Sequence, residues 1–292
     1  MAESRHTLKG IGLPFDPSYS SCSNIKPTNF DWSINIGDIS VHVDRGILLQ
    51  PDPSVSISKR YGWICESKYI IPDVYSFLIH NHKLLFANFY NKIYTCDYEL
   101  LVLNDRFTYA PNGSNYPWIA KTDWKIYPKT KTCSMFCSPK RLTEGHVYRH
   151  QLARLALDLG VDVFGGAHGT TRTVLDPRNP WNTKIDGIRD YMFSIVIENG
   201  VYESYTTEKL TDCFATGTVP IYWGSQKLPD IFDPNGVIWL QVGNEREIFE
   251  SLTPELYASK QKAIQNNLEA LQQLKIADDT LFELIMAEQQ NA

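Results

Sequence analysis

The second half of the chain constrains the fold most. Four apolar runs, "TCSMFCS" (132–138), "VDVFGG" (161–166), "FSIVIEN" (193–199) and "VPIYWG" (219–224), alternate with stretches of helical periodicity, and "GVIWL" (236–240) follows them. Runs that are apolar almost throughout have no solvent face to offer, so this alternation predicts a parallel sheet covered by helices on both faces. The helix expected over about 145–159 carries Tyr148, Leu152, Leu155, Ala156 and Leu159 on one stripe and stops at Gly160, and a second over about 208–216 is closed by Gly217.

The first half reads as a looser version of the same pattern. "IGDISVHV" (36–43), "YGWICES" (61–67), "KIYTCD" (92–97) and "ELLVLND" (99–105) are expected strands, with a helix over "PDVYSFLIHNHKLLFANF" between them. The stretch 106–131 then breaks the pattern with Pro111, Gly113, Pro117 and Pro128. A boundary near Pro128 divides the chain into expected domains of 1–128 and 129–292, the second ending in a solvated helical tail from about Thr253.

A chain of 292 residues buries enough surface to need neither metal nor disulfide for stability. Its net charge of -5 argues against nucleic acid as a partner, so any bound anion must be met by local charge. The six cysteines are scattered in apolar contexts, which fits free thiols in a reducing compartment. Cys133 and Cys137 share a strand face, but no further ligand stands near them in sequence to complete a zinc site. No apolar run reaches the ~18 residues of a transmembrane segment, and "MAESRHTLKG" has no signal-peptide core, so the expectation is a cytoplasmic protein.

In parallel α/β sheets ligands bind beyond the carboxyl ends of the strands, where helix N-termini present free amides. Two such junctions stand out. After "TCSMFCS" the next helix opens with His146, Arg149 and His150, and cations there oppose the helix dipole by about 0.3–1 kcal/mol each. After "FSIVIEN" the helix opens with Thr206, Thr207, Glu208 and Lys209. Two cations at adjacent junctions suit a diphosphate; the plain alternative is that Thr207 caps, Glu208 favours the dipole, and Lys209 and Arg149 are solvated. Tyr205 is either a packing staple or a ligand contact. Glu198 and Asn199, at the end of a buried strand, require amide donors and a cation to offset desolvation. No GxxxxGK[ST] phosphate loop is present, "FGGAHG" (164–169) fails the GxGxxG register, and no Asp-x-Asp pair stands at a strand end.

The combination "FSIVIEN…YTTEKLTDCFATGTVPIYWG…DIFDP" resembles the donor-binding motif of the α1,3/α1,4-fucosyltransferases, glycosyltransferase family 10, and "SPKRLTEGHVYRHQLARLALDLGVDVFGG" resembles the segment before it. The resemblance covers roughly 131–240, with Gly200 where the family commonly has Ser. It implies the α/β fold called GT-B, two Rossmann-like domains with parallel sheets facing a cleft. It also implies inverting transfer of L-fucose from GDP-fucose to an oligosaccharide or polysaccharide hydroxyl, with no metal and no cofactor beyond that donor substrate. On this resemblance Lys209 and Arg149 neutralise the diphosphate, Asn199 and Tyr205 contact it, Glu198 supports the site, and Glu208 holds ribose or fucose hydroxyls. The general base is expected from the first domain at Glu66, at the end of "RYGWICES", with Asp97 and Asp105 as alternatives and a surface pair with Lys68 or Lys59 as the plain reading. Two other readings stay open: the same fold with a different nucleotide-sugar donor, and a non-catalytic glycan- or nucleotide-binding module.

Overall fold

The computed structural model describes residues 5–22, 25–169 and 182–291. By its contacts the chain forms two units, one of Met1–Tyr116, Glu203–Tyr205 and Lys275–Ala292, the other of Pro117–Tyr202 and Thr206–Leu274.

In the first unit β1 (His6–Ile11), β2 (Phe30–Ser33), β3 (Ile39–Val43), β4 (Arg60–Trp63), β5 (Lys92–Thr95) and β6 (Phe107–Tyr109) form a parallel sheet in the order β2-β1-β3-β4-β5-β6. Register pairs Val41 with Tyr61 and Gly62 with Ile93. Helix α1 (Pro72–Asn88) begins with proline, whose missing amide costs nothing in a first turn, and it buries Val74, Tyr75, Leu78, Leu85 and Phe86. Residues 99–105, expected as a strand, instead contain the single helical turn α2 (Tyr98–Leu101). Asp97 caps that turn by accepting from the Glu99 amide, and Leu100 alone is fully buried, so a short apolar run became one turn. Strands β1, β2 and β6 leave no clear apolar run in the sequence: β1 mixes polar with apolar residues, and β2 and β6 have only four and three residues.

In the second unit β7 (Lys131–Phe136), β8 (Asp162–Phe164), β9 (Tyr191–Ile197), β10 (Val219–Trp223) and β11 (Ile238–Trp239) form a parallel sheet in the order β11-β10-β9-β7-β8. The expected strands and the two expected helices, α3 (Glu144–Asp158) and α5 (Glu208–Thr216), appear within one or two residues of their predicted bounds. The short α4 (Asn182–Asp186) precedes β9, and α6 (Glu245–Glu250), α7 (Pro254–Ser259) and α8 (Gln261–Leu271) follow the last strand. Met135, Ile195, Ile197 and Ile221 from the sheet and Leu152, Ala153 and Ala156 from α3 make the core. Gly217 ends α5 with φ 68°, the left-handed conformation that glycine adopts without a steric penalty.

The division between the units departs from the expected one at both ends. Residues 117–128 belong to the second unit because they bond to α5: the amides of Trp118 and Ile119 donate to Asp212 Oδ1, Lys125 N to the Ala215 carbonyl and Tyr127 N to that of Thr216. The last helix, α9 (Ala277–Gln290), belongs to the first unit. Asp278 accepts from Ser21 and from the Trp32 indole, Asp279 accepts from Thr28, and Phe282 stacks on Phe30 at 5.0 Å. All six cysteines are buried and free. Among the described residues no helix is long and apolar enough to cross a membrane.

Candidate functional site

Parallel order places the carboxyl ends of β7 and β9 side by side, and each leads to a helix N-terminus in the second unit. Thr143 caps α3, its Oγ1 accepting the His146 amide at 3.2 Å, and Thr207 caps α5 by accepting the Lys209 amide at 3.3 Å. The start of α3 is locked to the end of β9 by backbone. Gly145 N donates to the Asn199 carbonyl at 3.2 Å, and a Cβ on Gly145 would stand 1.8 Å from the Glu198 carbonyl oxygen. Only glycine permits that approach.

The side chains converge on the same ground. Arg149 is buried in the second turn of α3, and its Nη2 donates to the Ile197 carbonyl at 2.6 Å. Glu198 is fully buried and accepts from the Thr207 amide at 2.9 Å, from the Thr207 hydroxyl, and from the Tyr222 hydroxyl at 3.4 Å. Lys209 Nζ lies 3.5 Å from Glu198, 3.4 Å from Glu208 and 3.1 Å from Thr207 Oγ1. Burial raises the pKa of Glu198 against the pull of Lys209, whereas at Glu208 burial is outweighed by Lys209 and Lys184, which hold its carboxyl below the usual range.

Around them is a cavity of about 210 Å³ with Phe136, Trp118 and Ile195 on its apolar wall and Arg149, Lys184, Glu208 and Lys209 as its charged groups. Lys184 and Trp118 are functional candidates that sequence reasoning missed. Lys184 Nζ stands 4.6 Å over the Trp118 ring and pairs with the buried Asp212 and with Glu208. The available signal is Trp118 beside Pro117, inside the stretch 106–131 that breaks the strand and helix pattern.

The cations differ from the sequence expectation in one respect. His146 donates or accepts at Thr143 Oγ1 (2.8 Å), and burial, with Arg149 and other cations nearby, lowers its pKa to about 4, so it is neutral at pH 7 and adds no charge at the helix start. Lys209 and Lys184 are each matched by carboxylates. An incoming anion therefore exchanges partners within a balanced cluster.

Of the expected site residues, Arg149, Glu208 and Lys209 line the cavity, with Glu198 and Asn199 at the strand end beside it. Tyr205 is not among its lining residues. It is buried in the first unit, where its hydroxyl donates to Glu66 Oε1 at 3.4 Å. Glu66 is half-buried and lines a cavity of about 420 Å³ in that unit together with Gly12, Phe15, Ser21, Asp44 and Cys65. Its Oε1 also accepts the Ser67 amide at 2.6 Å. Asp44 was not anticipated. It is buried with φ 48°, and its Oδ1 accepts the amides of Cys65 and Glu66 at 2.9 and 3.2 Å, fixing the backbone that carries Glu66. The alternatives to Glu66 are placed otherwise: Asp97 caps α2 and pairs with Lys68 at 3.3 Å, and Asp105 is exposed. Lys68 is taken by Asp97 and Glu99.

Residues 126–247 match the family model for glycosyltransferase family 10 (fucosyltransferase), C-terminal part. An α-(1,4)-fucosyltransferase of Arabidopsis thaliana is 46% identical over 48 residues, and the α-(1,3)-fucosyltransferase FucT of Helicobacter pylori is 34% identical over 55. These alignments span 16% and 19% of this chain and 12% of each relative's length. A crystal structure of an α1,3-fucosyltransferase with GDP superposes with a TM-score of 0.53 at 14% identity, covering 99% of this chain and 91% of that one. The likeness gives the fold, α/β of the GT-B type with two parallel sheets.

Proposed function

Because the chain belongs, through the domain formed by residues 126–247, to glycosyltransferase family 10, we propose that it transfers L-fucose from GDP-fucose to a hydroxyl of an oligosaccharide or polysaccharide acceptor, with inversion and without a metal bridging the diphosphate. The observation that carries this reading is the meeting of Arg149, Lys209, Lys184 and Glu208 in one cavity at the ends of β7 and β9, beside two helix N-termini. Charge-assisted donors and the positive ends of two helices there suit a diphosphate, and Glu208 suits a sugar hydroxyl. As the diphosphate enters, Lys209 turns from Glu198 and Glu208 to the phosphate oxygens, while Glu198 keeps its bonds from the Thr207 amide and hydroxyl.

In the reaction the acceptor oxygen bonds to C1 of fucose, the bond from C1 to the phosphate oxygen breaks, and GDP leaves with the electron pair. The acceptor proton passes to a carboxylate, and Glu66 is our choice for it. Tyr205, which donates to Glu66, is assigned to positioning that carboxylate rather than to the diphosphate.

The test is thermal stability of the full chain with GDP, UDP, ADP, CMP and guanosine in EDTA. A ligand at 100 times its Kd adds about 2.7 kcal/mol. GDP is expected to stabilise most, and Lys209→Ala or Arg149→Ala to weaken GDP about tenfold to a hundredfold while guanosine hardly changes. A preference for UDP, or a GDP shift that disappears in EDTA, overturns the donor assignment.

A further inference from the structure

Three ligating side chains outside the donor cavity meet where β7 ends. Cys137 follows β7, His150 lies on the buried face of α3, and His168 sits in the turn after β8. Their donor atoms all lie within 4.8 Å of one another. Cys137 Sγ is 3.7 Å from His150 Nδ1, which is 2.9 Å from His168 Nε2. Cys137 and His150 are buried, and His168 is half-buried. Cys137 is part of the second unit's apolar core, and the thiol's other polar contact, to the Ser138 carbonyl at 3.9 Å, is weak.

The fold holds the three in place through backbone. Cys137 N donates to the Phe164 carbonyl at 2.7 Å, and Ala167 N donates back to the Cys137 carbonyl at 3.3 Å, which draws the turn carrying His168 over the strand end. Gly165, at φ 104°, allows this, because a Cβ there would fall 2.6 Å from the Cys137 oxygen. The far side of His150 fixes its tautomer. Its Nε2 is 3.1 Å from the Lys140 carbonyl, and a carbonyl only accepts, so Nε2 carries the proton and the Nδ1 lone pair points at Cys137 and His168. A ligating imidazole held by a backbone carbonyl through its other nitrogen is the usual support around a protein-bound metal.

We propose that Cys137, His150 and His168 form a binding site for a divalent transition-metal ion of the zinc class, with water as the fourth ligand. One thiolate and two imidazoles suit this borderline-soft class better than magnesium or calcium, which take oxygen. At metal–sulfur and metal–nitrogen lengths of about 2.3 and 2.0–2.1 Å, tetrahedral ligands stand roughly 3.3–3.6 Å apart. The Cys137–His150 separation of 3.7 Å already fits, whereas His168, 2.9 Å from His150 and up to 4.8 Å from Cys137, must swing away from His150 by about half an ångström and towards Cys137 by about an ångström. Without the ion, His168 Nε2–H donates to His150 Nδ1. With it, the His168 proton moves to Nδ1 and the Cys137 thiol proton is released, one proton per ion bound. The ion ties together the end of β7, the helix that carries Arg149, and the turn after β8, and it touches no group assigned to the donor.

The inference does not rest on the proposed reaction, and its readout is spectroscopic. Full-length protein stripped with a chelator is titrated with Co²⁺. One equivalent is expected to give tetrahedral d–d absorption together with a near-ultraviolet thiolate-to-cobalt charge-transfer band, both displaced by Zn²⁺. Cys137→Ser should remove the charge-transfer band, and His168→Asn, chosen because His168 has φ 61° and asparagine tolerates that backbone, should weaken cobalt binding at least about tenfold. Absence of the charge-transfer band in the parent protein, or a spectrum unchanged in both variants, overturns the site.

Discussion

At the scale of single residues, the second unit's site is built from charges that already satisfy one another. Lys209 stands between Glu198 and Glu208, and Lys184 between Glu208 and Asp212. Removing one member of such a buried set leaves its partner uncompensated, which is why alanine variants here need the guanosine control to separate binding from folding. In the first unit the residue we propose as the base, Glu66, is held by the Tyr205 hydroxyl, the Ser67 amide and the backbone bonded to Asp44. A positioned base contributes ~10² to 10⁴ in rate, about 3–5.5 kcal/mol. Glu66→Gln keeps shape and hydrogen bonding and deletes basicity, so turnover with saturating acceptor should fall by that factor with GDP affinity unchanged. Retention of more than about a tenth of turnover passes the role to another carboxylate, for which the buried Asp44 in the same cavity is the next to test.

At the scale of elements, the site depends on how closely α3 approaches β9. Gly145 has no room for a side chain, since a Cβ would meet the Glu198 carbonyl oxygen at 1.8 Å, and that oxygen is backbone and cannot rotate away. Helix propensity favours alanine over glycine by about 1 kcal/mol, whereas overpacking costs typically about 1–3 kcal/mol or more. Gly145→Ala should therefore lower the melting temperature and also weaken GDP, because the helix bearing Arg149 is displaced. A variant that melts higher than the parent would show that the approach is not tight. The elements of the second unit were legible because apolar strands buried on both faces, a Thr cap and a terminal glycine each leave a local signature. The run at 99–105 misled because four apolar residues fit one buried helical turn as well as a strand, and the Asp97 cap decided it.

At the scale of the whole chain, the last helix returns to the first strands. Asp278 bonds Trp32 across 246 residues of sequence, and Lys92 pairs with Glu288 at 2.6 Å. Burial pushes the Asp278 carboxyl up to about 6 despite the donors from Ser21 and Trp32. An acid whose folded pKa is raised binds more protons folded than unfolded between about 4 and 6, so its contribution to stability is greatest below that window and is lost as pH rises through about 6. Denaturant melts at pH 4.5 and 7 should show this loss in the parent and not in Asp278→Asn. Asp278→Ala leaves the Trp32 indole and the Ser21 amide unpaired and should cost roughly 2–4 kcal/mol at either pH. Equal pH dependence in parent and Asp278→Asn would mean that the carboxyl titrates normally.

The sequence by itself determined the parallel sheet of the second unit and the helix starts after β7 and β9, and it singled out Arg149, Glu208 and Lys209, which line the cavity there. Each of these rests on a local signal, the periodicity of one run or the cap and stop of one helix. Only the tertiary structure decided that Tyr205 sits beside Glu66, that Lys184 and Trp118 share the cavity, that α9 belongs with the first sheet, and that Cys137, His150 and His168 meet. Each of these is a contact between segments whose local patterns are unremarkable, where burial against a distant partner, rather than any preference of the residue itself, fixes position.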